Sequence, residues 1–329
     1  MQHPPTDSAL YAAVELGSDS FRLHVGRFED GALRLVATMA EPVRLAASLD
    51  EDGMLTAAAM RDALACLGRF RHALAARQVS AVRVVATTAL RTARNSALFL
   101  PAAGQALGRP IELIPADEAG RLVYLGVANS LGDDDGAPRL VVDIGSGGTE
   151  LVLGQGTRIR RIESFRFGTV RQSLTFFAEG LITAASFDAA VRSGRSRFAE
   201  AGLHAGQWRG AYGACATVRV LAEIAREQGE PGALLTRAGL GRLRARFIEL
   251  GSVAAVAQEW DGAARVSHLP GGLALVIALM DELDIEALAP VHAGLRVGAL
   301  WDLYLRAGAL GRDLAAQVEV PSADPLAPV

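Results

Sequence analysis

Val14-Glu15-Leu16-Gly17-Ser18 and Val142-Asp143-Ile144-Gly145-Ser146 repeat one pattern: an apolar strand that delivers an acid and then turns on glycine. Leu23 and Gly26 recur as Leu151 and Gly154 at the same offset, so the strand leaving each turn repeats as well. Successive backbone N–H groups in a glycine turn make a nest for an anion, and an acid at the end of the preceding strand can hold Mg²⁺ through its waters beside bound phosphates. Two such units imply two related lobes that face one polyanionic ligand and its metal across a cleft. Glu15 and Asp143 are the candidate Mg²⁺ ligands, and Gly17, Ser18, Gly145, Ser146 and Gly147 form the candidate phosphate cradle. Either acid alone would read as an ordinary residue at a hairpin end; its duplication at one register favours chemistry.

Three further groups bear on the same chemistry. Glu150 follows the second turn, where a carboxylate orients water or ligates metal, or is simply a solvated strand residue. Arg91 and Arg94 lie just past a strand end, where an α/β sheet opens to ligand; an arginine there clamps phosphate bidentately, and a surface arginine is the competing account. Gly145-Ser146-Gly147-Gly148-Thr149-Glu150 lacks the last glycine of a dinucleotide fingerprint and leads into a strand where that motif needs a helix, which argues against a Rossmann dehydrogenase. His24, His72, His204, His268 and His292 are scattered and read as ordinary core or surface residues. Cys66 and Cys215 stand in apolar segments without metal-ligand spacing.

The elements that must position these residues alternate in kind. Tyr11 to Leu16, a Gly17-Ser18-Asp19-Ser20 turn and Phe21 to Gly26 make a hairpin, followed by a strand near Leu33 to Thr38. Met60, Leu64, Leu67, Phe70 and Leu74 share one face of a helix from Thr56, its expected N-cap, to Ala76. A strand at Ser80 to Thr87, a helix at Ala89 to Leu107, a strand at Ile111 to Ile114 and a helix at Asp117 to Ser130 complete the first lobe, residues 1–132. After a linker from Gly132 to Pro138, the second lobe, within 133–320, opens on the strands Arg139 to Ile144 and Thr149 to Leu153. Helices follow at Val170 to Phe177, Phe187 to Ala201, Ala216 to Glu227, Gly239 to Leu250, Leu273 to Leu283 and Gly294 to Leu305, with strands at Arg209 to Gly213 and near Leu288 to Val291. The three prolines from Pro321 mark residues 321–329 as a disordered tail. The class is α/β with mixed sheets.

A length of 329 residues exceeds one comfortable core, and a hydrophobic share of 50% lets two lobes bury themselves. The net charge of −3 and the absence of basic runs argue against a nucleic-acid binder, so any anion site is local. No signal sequence or membrane-length apolar run is present, and a cytoplasmic protein that needs no membrane is the expectation. The apolar C-terminal helices either close the second lobe or form a homodimer.

Taken together, these stretches resemble the exopolyphosphatase and guanosine pentaphosphate phosphohydrolase (Ppx/GppA) family. The carriers of the resemblance are Ala13 to Leu23, Ala86 to Asn95, Arg121 to Val127, Asp143 to Leu151, Gly168-Thr169-Val170-Arg171 and Gly294-Leu295-Arg296-Val297-Gly298. The resemblance implies the two-lobed actin-like, Hsp70 and sugar-kinase (ribonuclease H-like) superfold. It also implies Mg²⁺-dependent attack of water that releases terminal phosphate from inorganic polyphosphate or the 5′ γ-phosphate from guanosine pentaphosphate, with a glutamate as general base, and ligands that are inorganic polyphosphate or guanosine penta- or tetraphosphate. Asp143, Gly145, Gly147 and Glu150 match the family's second phosphate loop, and Arg91 its first-lobe arginine.

The chain also departs from the family's pattern. Glu15 and Asp19 stand where the family has Asp and Asn, Ser146 and Gly148 exchange the glycine and serine positions, and Cys215-Ala216-Thr217 replaces Ser-Gly-Thr. At Asp117-Glu118-Ala119-Gly120-Arg121 the family's second glutamate, its base, aligns with Ala119; a slip of one residue would instead make Glu118 the base. A binding sensor without turnover is the rival from another class. A sugar or acetate kinase is a third, and it would need an adenosine pocket that Gly213 to Val220 does not announce.

Overall fold

A computed structural model of the chain describes residues 9–131, 136–230, 232–260 and 268–317. Much of the expected linker and the whole tail from Pro321 lie outside these residues. The first sheet takes β1 (Tyr11–Leu16), β2 (Ser20–Glu29), β3 (Ala32–Pro42), β4 (Ala81–Ala86) and β5 (Glu112–Leu113) in the order β3-β2-β1-β4-β5. Its helices are α1 (Ala57–Ala75), α2 (Thr88–Thr92), α3 (Ser96–Leu107) and α4 (Ala116–Ser130). The second sheet takes β6 (Pro138–Ile144), β7 (Thr149–Gln155), β8 (Arg158–Phe165), β9 (Gly210–Gly213), β10 (Leu235–Thr236) and β11 (Ala287–Pro290) in the order β10-β11-β9-β6-β7-β8. Around it lie α5 (Thr169–Phe176), α6 (Ala184–Phe198), α7 (Ala216–Glu227), α8 (Arg237–Leu250), α9 (Val253–Glu259), α10 (Leu269–Glu282) and α11 (Leu295–Gln317).

The repeat read in the sequence is a repeat of strand pairing. β1 runs antiparallel to β2 and parallel to β4; β6 runs antiparallel to β7 and parallel to β9. Strand alternation then sorts side chains between two destinations. Ala12, Val14 and Leu16 enter the core of the first lobe, and Leu140, Val142 and Ile144 enter that of the second. Tyr11, Ala13 and Val141 point the other way, into a third apolar cluster shared by both sheets. Glu15 and Asp143 continue that inward series one step further along each strand, where the cluster gives way to the cleft.

The helices α4 and α11 fill the space between the sheets. Their backbones nearly touch: a Cβ on Gly298 would lie 1.7 Å from the Leu122 carbonyl oxygen, and one on Gly126 would lie 2.6 Å from that of Gly294. Although α11 comes last in the chain, it packs on α4, β1, β2 and β4, so the C-terminal helix returns to the first sheet.

Some expected elements change. The helix read from Ala89 to Leu107 is two helices, because buried Asn95 spends its side chain on Leu55, accepting from its N–H at 2.8 Å and donating to its carbonyl at 2.9 Å. The strands β8 and β10 and the helix α9 had no counterpart in the sequence reading. In β8 the half-buried Ile159 and Ile162 stand three apart, which defeats a two-residue period, and a bulge at Leu153/Gly154 of β7 absorbs the extra residue. Thr56 caps α1 as expected, accepting from the Ala59 N–H.

Candidate active site

A cleft of about 670 Å³ opens between the lobes. Both glycine turns line it. A Cβ on Gly17 would meet the Ser20 carbonyl at 2.7 Å, so the first turn admits only glycine there. A Cβ on Gly147 would lie 2.5 Å from Ser18 Oγ, which places the two turns in contact across the cleft floor. Ser18 Oγ accepts from the Ala89 N–H at 3.2 Å, tying the first turn to α2. Gly145 and Ser146 carbonyls accept from Thr169 and Val170 N–H groups at 3.0 and 3.1 Å, tying the second turn to the start of α5. The first residues of α5, α7 and α11 line the same space, so three helix N-termini add partial positive charge there.

Asp143 and Glu150 are direct cross-strand partners on the inner face of β6 and β7. Among the described residues neither carboxylate has a hydrogen bond or ion pair. Burial first, and then the charge of Glu15, push the Asp143 carboxyl up to about 6. Burial and the neighbouring Asp143 charge push Glu150 up to about 8. Half-buried Asp143 and buried Glu150 repel each other and open on a cleft, a fitting place for one divalent cation, since Mg²⁺ commonly takes one or two carboxylates plus phosphate oxygens and water. They do not extend to a larger cage: among the described residues no group of three or more His, Cys, Asp or Glu is arranged to hold a metal.

Glu15 lines the cleft but is already engaged. Its Oε2 pairs with Arg296 Nη1 of α11. Arg296 Nε also donates to His24 Nε2 at 3.1 Å. Burial first, and then the charges of Arg296, Arg22 and Arg219, lower His24 to about 3, so it is neutral at physiological pH. These three arginines line the cleft.

Arg91 does not reach into the cleft as a phosphate clamp. It donates to the Ile114 carbonyl at 3.0 Å and to Thr88 Oγ1 at 2.9 Å, and so braces the rim from behind. Glu118 is held by arginines beside the cleft. Its Oε2 accepts from Arg121 Nε at 2.6 Å and its Oε1 from Arg83 Nη2 at 2.8 Å, and Asp302 of α11 completes the cluster. These bonds, Arg121 foremost, hold the Glu118 carboxyl down to about 2. Consecutive helix residues point about 100° apart, and it is Ala119 that faces the cleft. Cys215 caps α7 through Sγ, and burial pushes its thiol up to about 11, which leaves it inert as a nucleophile.

The sequence reading passed over Arg22, Arg219 and Arg296 as site cations and gave His24 and His292, both in the cleft wall, no role. One signal was present. Arg219 and Arg296 fall in the first turns of α7 and α11, where a cation opposes the helix dipole and needs a compensating anion.

Duplicated glycine turns meet at the floor of a two-lobed α/β cleft, with Asp143 and Glu150 beside them. The Ppx/GppA phosphatase family model matches residues 24–307, and the chain belongs to that family. It is 34% identical over 303 residues to the guanosine-5′-triphosphate,3′-diphosphate pyrophosphatase of Vibrio campbellii, a match that takes in 90% of this chain and 59% of the relative. The chain thus spans about three fifths of the length of the curated relatives it matches. The structure of an exopolyphosphatase-like protein superposes with a TM-score of 0.80 at 25% identity, covering 92% of this chain and 99% of that one. The Aquifex aeolicus PPX-GPPA enzyme shares the fold, with a TM-score of 0.76 at 24% identity over 89% of this chain and 99% of its own. Among the described residues no helix is long and apolar enough to cross a membrane.

Proposed function

We propose that this chain releases terminal phosphate from inorganic polyphosphate or from a guanosine pentaphosphate by attack of water, with Mg²⁺ as its cofactor. The observation that carries the reading is the pairing of half-buried Asp143 with buried Glu150 across β6 and β7, beside touching glycine turns. Backbone N–H groups of the Gly17-Ser18 and Ser146-Gly147 turns hold phosphoryl oxygens, while the Gly145 N–H closes its own turn on the Gly148 carbonyl at 2.9 Å; Arg22, Arg219 and Arg296 balance the phosphate charge. Asp143 would hold the cation, which would neutralise charge on the phosphate chain. Glu150, held high in the pH scale and open to the cleft, is the carboxylate that positions the attacking water and accepts its proton. The bonds of Glu118 to Arg83 and Arg121 support giving the role to Glu150 instead.

A weakly acting or non-hydrolysing binder is the second reading, and one observation favours it: the cleft face of α4 presents Ala119, which cannot accept a proton. Phosphate release from polyphosphate and from guanosine pentaphosphate, with Mg²⁺ and with EDTA, separates the two. The hydrolase reading expects Mg²⁺-dependent release that Glu150→Gln lowers about 10² to 10⁴-fold. Tight binding with no release in either condition establishes the binder.

A further inference from the structure

Arg296 stands at the second position of α11, against the helix dipole, yet its side chain is only 17% exposed, as is that of its partner Glu15. The pair joins the N-terminal strand to the C-terminal helix across the cleft wall. A guanidinium has no acceptor, so its bond to His24 makes Nε2 the bare nitrogen and puts the imidazole proton on Nδ1. That Nδ1–H is buried and, among the described residues, has no hydrogen-bond partner. An ion pair inside an anion cleft, oriented by a histidine with a spare donor, is an unusual use of charge: Glu15 occupies the arginine that an anionic ligand needs.

We propose that Arg296 is an anion receptor latched by Glu15 and aimed by His24, and that a phosphate chain entering the cleft displaces the Glu15 carboxylate from it. This rests on the reading that the cleft takes a polyphosphate, and adds how an internal anion is exchanged for an external one. A phosphate presents oxygens to a guanidinium much as a carboxylate does, so the exchange keeps Arg296 hydrogen-bonded throughout. His24 is a positioning residue, because its Nε2 holds the guanidinium through Nε and leaves the outer nitrogens to the exchanging anion.

Calorimetry with tripolyphosphate in EDTA tests the latch, with thermal unfolding to confirm that each variant is folded. Glu15→Gln is expected to tighten binding about tenfold, and by more than Asp19→Asn, which removes the same charge from the cleft. In an Arg296→Gln background the gain from Glu15→Gln should shrink to about twofold or less. His24→Phe should weaken binding about fivefold, and His24→Gln, whose amide oxygen still accepts from Arg296, should restore most of it. An equal gain from Glu15→Gln with and without Arg296, or a His24→Gln variant as weak as His24→Phe, overturns the latch and leaves the cleft's ligand intact. Absence of binding by the wild type and every variant removes the latch together with the polyphosphate reading.

Discussion

Gly298→Ala probes the contact that sets the two lobes against each other. A Cβ at this position would lie 1.7 Å from the Leu122 carbonyl oxygen, 2.6 Å from its carbonyl carbon and 3.1 Å from the Gly126 nitrogen. All three atoms are backbone, so no side-chain rotation relieves the overlap. The helices α4 and α11 must separate by about 1.3 Å or more to reach even a tight contact. Overpacking of this kind costs about 1–3 kcal/mol and more where only backbone can move. Alanine returns up to about 1 kcal/mol in helix propensity. A net loss of about 2 kcal/mol follows, read as a lower urea midpoint. Gly308→Ala, in the same helix with nothing within 4 Å, supplies the control and should gain stability. Equal or higher stability for Gly298→Ala would refute the close crossing, and with it the placement of Arg296 and Ala119 on one cleft.

Other predictions follow from the charges. Glu118→Gln should lose about 1–3 kcal/mol of stability by breaking its bonds to Arg83 and Arg121, while phosphate release changes by no more than a few fold; a collapse of activity in a stable variant would return Glu118 to the role of base. Because the Glu118 carboxyl is depressed when folded, its stabilisation is present above about 4.5 and is lost as pH falls through about 2, so Glu118→Gln should approach the wild type in acid-unfolding curves. Glu150 has the opposite sign. Its raised value means the folded chain holds a proton that the unfolded chain releases, so between about 4.5 and about 8 this group subtracts stability as pH rises. In EDTA, Glu150→Gln should therefore gain on the wild type from pH 5 to pH 8 in denaturant titrations, and Mg²⁺ should stabilise the wild type at pH 8 more than the variant.

The duplicated hairpins were legible because each is a local pattern: a two-residue period fixes the face, and glycine fixes the turn. Thr56 and the α1 stripe were legible for the same reason. The break at Asn95 was not, since it depends on Leu55, far away in the chain, and apolar spacing runs through it unbroken. β8 was hidden by a bulge that only the partner strand reveals. In the site, residue types and turns could be read, but the direction of Glu118 and the partners of Glu15 and Arg91 depend on which side chains meet across elements. The resemblance supplied the position of Ala119, and the helix turn then decided that Ala119, not Glu118, faces the cleft.

The central claim is that both glycine turns grip one chain of phosphates beside Asp143 and Glu150. A crystal structure of the Glu150→Gln variant with tripolyphosphate and Mg²⁺ tests it most directly. The account expects phosphoryl oxygens within hydrogen-bond reach of backbone N–H groups in both Gly17-Ser18 and Ser146-Gly147, with the cation at Asp143. An anion bound elsewhere, or held by one turn while the other stays vacant, would contradict it.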